Sequence, residues 1–157
     1  MKGFLASFVS ILIFVSPLIS NAQTIYEKST IAQQHALAFA IAPVKSADEL
    51  KHYLKITPKG HVPFNYLSSV DKRIFLNSLT FGEKGLSGFN YAILKEKLNQ
   101  KQITEVLSVF GAQHLVASVV GDVKSQIAAP TDYKDYKCSI KATCSVSNTE
   151  ICIGDNC

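Results

Sequence analysis

Tryptophan is absent from the 157 residues, and methionine occurs once, at Met1. Cysteine is missing ahead of Cys138, so Cys138, Cys144, Cys152 and Cys157 all fall in the last twenty residues. Charged residues reach only 18% while hydrophobic ones make up 47%, which excludes a disordered chain, because disorder needs few apolar groups and high net charge. The net charge of +4 is not gathered into a basic stripe, which argues against a dedicated nucleic-acid binder. Catalytic signatures are also missing. There is no G-x-S-x-G, no GxGxxG and no D-x-D-x-D-G loop, although Asp155-Asn156 have side chains suited to calcium. His35, His52, His61 and His114 form no H-E-x-x-H or H-x-x-x-H pair, so no metal ligand is assigned. Enzymatic function has no positive support, and no cofactor is expected.

The N-terminus carries an export signal. Lys2 supplies a positive start, and the run from Phe4 to Leu18 is almost wholly apolar. Ser20-Asn21-Ala22 then places small residues at the first and third positions of a cleavage site. This pattern predicts a secretory signal peptide over residues 1–22, cut between Ala22 and Gln23. Pro17 interrupts the apolar run, which is shorter than the roughly 20 residues a spanning helix needs. A secreted or periplasmic protein with no stable membrane span is the expectation. Its partner would be an unidentified protein or receptor target, and its oligomeric state is open.

Residues 23–130 read as a helical domain. Ile103, Val106, Leu107 and Phe110 recur at helical spacing, with His114 continuing the stripe as a part-buried or helix-end histidine. Leu67, Val70 and Ile74 give a second stripe, and Leu86, Phe89 and Ile93 a third. An Ala-rich helix over 31–42 stops at Pro43 and places His35 on its polar side. Ser46 with Glu49, Thr80 with Glu83, and Asn99 with Gln102 have the form of helix-start capping boxes. Asp48 and Glu49 then suit the positive end of the helix dipole. Gly82, Gly85 and Gly88 suggest a loose or late-starting helix, while Gly111 and Gly121 suggest helix breaks. Long alternating strand patterns are missing, so the expected fold is all-α.

Residues 131–157 read as a separate Cys-rich, irregular tail. The spacing is C-x5-C-x7-C-x4-C, without the close pairs of a four-cysteine zinc site and without a redox C-x-x-C. An even count in an exported chain predicts two disulfides, and three pairings are open. Lys134, Lys137 and Lys141 stand against Asp132, Asp135, Glu150 and Asp155, so the tail lacks the cationic face of a membrane-attacking peptide.

A helical region followed by a short Cys-containing C-terminus resembles the bacteriocin fulvocin C-related proteins. The similar stretch runs from about Phe64 to Leu115. It includes Asp71-Lys72-Arg73-Ile74-Phe75-Leu76, Leu94-Lys95-Glu96-Lys97-Leu98 and Gln102-Ile103. The resemblance implies a bacteriocin link and assigns no residue roles. Two readings follow. In one, the chain is an exported, non-enzymatic precursor whose helical region carries a disulfide-bonded, antimicrobial C-terminal peptide. In the other, it is a secreted or envelope binding protein of unknown ligand, with the tail as a permanent staple.

Overall fold

A computed structural model describes residues 30, 33–121 and 132–157. The chain divides into two units, residues 1–33 and 34–157. In the first, only Thr30 and Gln33 are described, both helical. The proposed signal peptide, the Ala22–Gln23 cut and Pro130 therefore lie outside the described residues. The second unit is mixed α/β, which corrects the all-α expectation. Its helices are α1 (helical over residues 34–41), α2 (Ala47–Ile56), α3 (Ser69–Ser78), α4 (Ala92–Lys97), α5 (Gln100–Ser108) and α6 (Val116–Val120). Its strands are β1 (Thr80–Gly82), β2 (Gly85–Asn90), β3 (Asp132–Ile140) and β4 (Thr143–Ile153). They form one antiparallel sheet in the order β1-β2-β4-β3. The tail is thus not irregular but a long hairpin, and β4 is an inner strand of the sheet.

Capping chemistry sets several helix starts. The Ser46 hydroxyl accepts from the Glu49 amide at the head of α2. Asn99 and Gln102 form a complete reciprocal capping box on α5. Gly121 closes α6 in the left-handed region at φ 85°, a conformation open to glycine without a Cβ clash. The α5 stripe faces inward as expected, with Ile103, Val106, Leu107 and Phe110 all buried. The α3 stripe does not. Val70 and Ile74 are exposed, and the helix buries Phe75 instead.

The segment from Thr80 to Asn90 is a hairpin rather than a helix. Thr80 does not cap a helix; its hydroxyl donates to the Gly88 carbonyl and accepts from Ser87 Oγ at 3.1 Å. β2 is flanked on both sides and buried along nearly its whole length, so it shows no inside–outside alternation. Leu86 and Phe89 enter the core from this strand, which is how they kept a helix-like spacing. The core is a run of aromatic rings, Phe110 to Phe64 at 5.8 Å, Phe64 to Phe75 at 6.1 Å and Phe75 to Phe89 at 6.3 Å. Ile151 from β4 joins it at 1% exposure.

The C-terminal hairpin folds back on itself. Lys134 pairs with Ile151 and Tyr136 with Val146, so β4 spends five residues where β3 spends two. Asp135 and Thr149 adopt positive φ values of 64° and 67° at this bend. Eight residues of straight strand would separate Cys144 from Cys152 by about 26 Å. Their Cα atoms are 6.0 Å apart, joined by a disulfide. A second disulfide joins Cys138 to Cys157. Lys141, at the returned tip, reaches Glu83 on the β1–β2 turn at 2.8 Å.

Candidate functional site

The fold-back leaves two adjacent clefts. One, of about 680 Å³, lies between the β1–β2 turn and the Cys138–Cys157 disulfide. The other, of about 780 Å³, lies between α1, the α5–α6 connection and the root of the hairpin. Glu83, Lys84, Asp155 and Asn156 border both.

The second cleft holds the unusual chemistry. Asp132 begins β3, with its side chain only 3% exposed. His114 follows α5 in a short 3-10 turn at Gln113–Leu115, with its side chain 15% exposed. Nε2 of His114 lies 3.2 Å from Oδ2 of Asp132. A carboxylate only accepts, so in the neutral imidazole the proton sits on Nε2 and Nδ1 carries the lone pair. That Nδ1 is buried and has no hydrogen-bond partner among the described residues, and neither does Oδ1 of Asp132. Leaving a buried acceptor unmatched costs about 1–3 kcal/mol. Two such atoms on touching residues therefore mark a place where a donor or cation would be welcome.

His35 completes the group. Its ring centroid is 4.3 Å from that of His114, with 31° between the planes. Burial and the neighbouring His114 push the His35 pKa below its usual value, with Asp132 pulling weakly the other way. The helix therefore does not offer this histidine simply to solvent as its polar-side placement suggested. The contact joins α1, the turn after α5 and the C-terminal hairpin, three pieces far apart in sequence.

The four cysteines are placed as two disulfides, Cys138–Cys157 and Cys144–Cys152. The sulfurs of Cys144, Cys152 and Cys157 lie within 4.8 Å of one another, so the two bonds sit side by side. Cys152 is fully buried under the sheet, while Cys138 and Cys157 are half-buried. Asp155 and Asn156 do not gather a calcium loop. Asn156 Nδ2 donates instead to the Leu86 carbonyl at 2.8 Å, tying the C-terminal turn to β2. His52 and His61 are exposed and do not line the cleft that holds His35 and His114.

Sequence reasoning did not bring His35, His114 and Asp132 together. Only the pairing of β3 with β4 at the root of the hairpin places Asp132 beside the end of the α5 region, and no spacing rule encodes a contact across three elements. Among the described residues, no helix is long and apolar enough to cross a membrane. No protein family, curated protein or solved structure matches the chain.

Proposed function

We propose that this chain is an exported, non-enzymatic binding protein whose C-terminal hairpin is a permanent wall of the ligand cleft. The observation that supports this reading is the position of β4. It pairs with β2 at Gly88–Cys152, Phe89–Ile151 and Asn90–Glu150 and with β3 on its other side. Ile151, Cys152 and Ile153 are 1%, 0% and 6% exposed. Taking a strand out of the middle of a sheet breaks two ladders and uncovers apolar surface. A releasable peptide is more economically built on an edge. The paired cysteines and the leader pattern support export, since disulfides persist in oxidising compartments.

The rival is the bacteriocin-related precursor that sheds an antimicrobial peptide. One experiment separates the two. Exported material is analysed by intact mass with and without reduction, and oxidised peptide 131–157 is assayed against a panel of bacteria. The binding-protein reading expects the tail on every molecule, a mass rise of about 4 Da on reduction as two disulfides open, and no inhibition by the peptide. A shed peptide that inhibits growth when oxidised would overturn it in favour of the precursor.

A further inference from the structure

We propose that His35 and His114 bind one divalent transition-metal ion of the imidazole-preferring kind, such as Zn²⁺, Ni²⁺ or Cu²⁺, with Asp132 orienting His114. The inference rests on the binding-protein reading, in which the tail that carries Asp132 is kept, but its test on the full chain is read separately from whether exported molecules retain the tail.

Three observations carry it. First, Asp132 and His114 form the carboxylate–histidine half of a metal site. The carboxylate holds one ring nitrogen at 3.2 Å and leaves the other free to coordinate. Second, that other nitrogen is buried and unpartnered among the described residues, on a side chain 15% exposed. Third, a second imidazole is already alongside. Two imidazoles on one ion, with metal–nitrogen bonds of about 2.0–2.1 Å, have ring centres roughly 4.5–5 Å apart. The observed separation is 4.3 Å with 31° between the planes, so His35 is within reach of the same ion once it swings out of the stack and aims a ring nitrogen at it.

The surroundings suit a cation. Besides Asp132, the described lining of the cleft includes Glu83 and Asp155 against one ammonium, that of Lys84. Glu83 is shared with Lys141. Two protein nitrogens leave the remaining positions to water or to a donor atom of whatever the cleft receives. The ion is therefore a means of capture as well as a structural group. The disulfide-bonded sulfurs take no part.

The test uses the full oxidised chain after dialysis against a chelator. Calorimetric titration with Zn²⁺, Ni²⁺ and Cu²⁺ reads stoichiometry and affinity, and ¹⁵N shifts of the histidine rings read which nitrogen is engaged. One ion per chain is expected, with the Nδ1 resonance of His114 shifting on binding. His35→Gln should weaken binding at least tenfold. Asp132→Asn should weaken it ten- to a hundredfold through loss of the orienting carboxylate. His52→Gln, exposed on α2 and not part of the cleft lining, should leave it unchanged. No binding by the parent chain would overturn the proposal. So would undiminished binding in His35→Gln, or an unmoved Nδ1 signal with the ion bound elsewhere. The His35 variant and the ring signal keep the outcome readable even where an altered His114 or Asp132 disturbs folding.

Discussion

Asp135 and Tyr91 show how single residues hold the bend of the hairpin. The Tyr91 hydroxyl donates to Oδ1 of Asp135 at 2.6 Å, and the Tyr91 amide donates to the Thr149 carbonyl at 2.8 Å. Asp135 at φ 64° is a tolerable left-handed residue, whereas β-branched Thr149 at φ 67° is strained. Asn90 Nδ2 adds a bond to the Thr149 hydroxyl at 3.0 Å, so the strained residue is held from the end of β2. Burial, and secondarily the bond to Asp135, push the Tyr91 pKa up to about 12 from 10.0. The unfolded phenol therefore loses its proton first as pH rises. The stabilisation from the neutral, bonded phenol is complete below pH 10 and is lost as pH climbs toward 12. Tyr91→Phe should lower stability at neutral pH by about 1–3 kcal/mol, because it strips a donor from a carboxylate. It should also flatten the decline between pH 10 and 12 relative to the parent chain. Denaturant unfolding of both proteins across that range is the measurement, and parallel curves would refute the role given to Tyr91.

At the scale of elements, the helices were legible and the strands were not, for physical reasons. On α5 a cap and an apolar stripe agree, with Asn99 and Gln102 at its head and Ile103, Val106 and Leu107 on its inner face. The signal for β2 was hidden because both its faces are buried, which removes the period-two alternation that marks a half-exposed strand. The tail offered subtler clues. Val146 and Ile151 to Ile153 are β-branched and cysteine positions in a run of Ser and Thr, and such residues favour strands. The turn at Lys141-Ala142 lacks the Asn-Gly signature of a two-residue hairpin, and Ala142 supplies the positive φ of 59° instead. The glycine trio marked close approach rather than a slack helix. A Cβ on Gly82 would stand 1.8 Å from the Asn156 carbonyl oxygen, a backbone atom. Gly82→Ala must therefore push the C-terminal turn off β2 and break the Asn156–Leu86 bond. A loss of roughly 1–3 kcal/mol is expected. Gly60→Ala, where a Cβ meets nothing within 4 Å, should be close to neutral. Thermal melts of the pair measure the contrast, and equal melting points would mean that the turn does not lie against Gly82.

At the scale of the molecule, the question is whether the hairpin is a crosslinked appendage or part of the sheet that completes the core. These alternatives respond differently to two changes. Replacing Cys138 and Cys157 by Ala opens the bond that closes a 19-residue separation while leaving every strand in place. The chain-entropy model puts that loss at about 3 kcal/mol. The returned tip should loosen, and the Lys141–Glu83 contact, between side chains 79% and 80% exposed, should offer no resistance. Because β4 stays between β2 and β3, unfolding should remain cooperative. Ending the chain at Pro130 is a different operation. It removes Ile151 and Ile153 from the core, leaves the β4-facing edge of β2 unpaired and takes Asp132 from His114. Loss of one buried large aliphatic side chain costs about 2–5 kcal/mol, and here two go together with a strand ladder. That is comparable with the roughly 5–15 kcal/mol by which whole domains are stable. The truncated chain should therefore keep some helical circular dichroism but bind a hydrophobic dye and melt without a cooperative transition. The double cysteine variant should melt cooperatively at a lower temperature. A truncated chain that melts as sharply as the parent would show that residues 34–121 complete their own core, and it would restore the tail to the status of a detachable peptide.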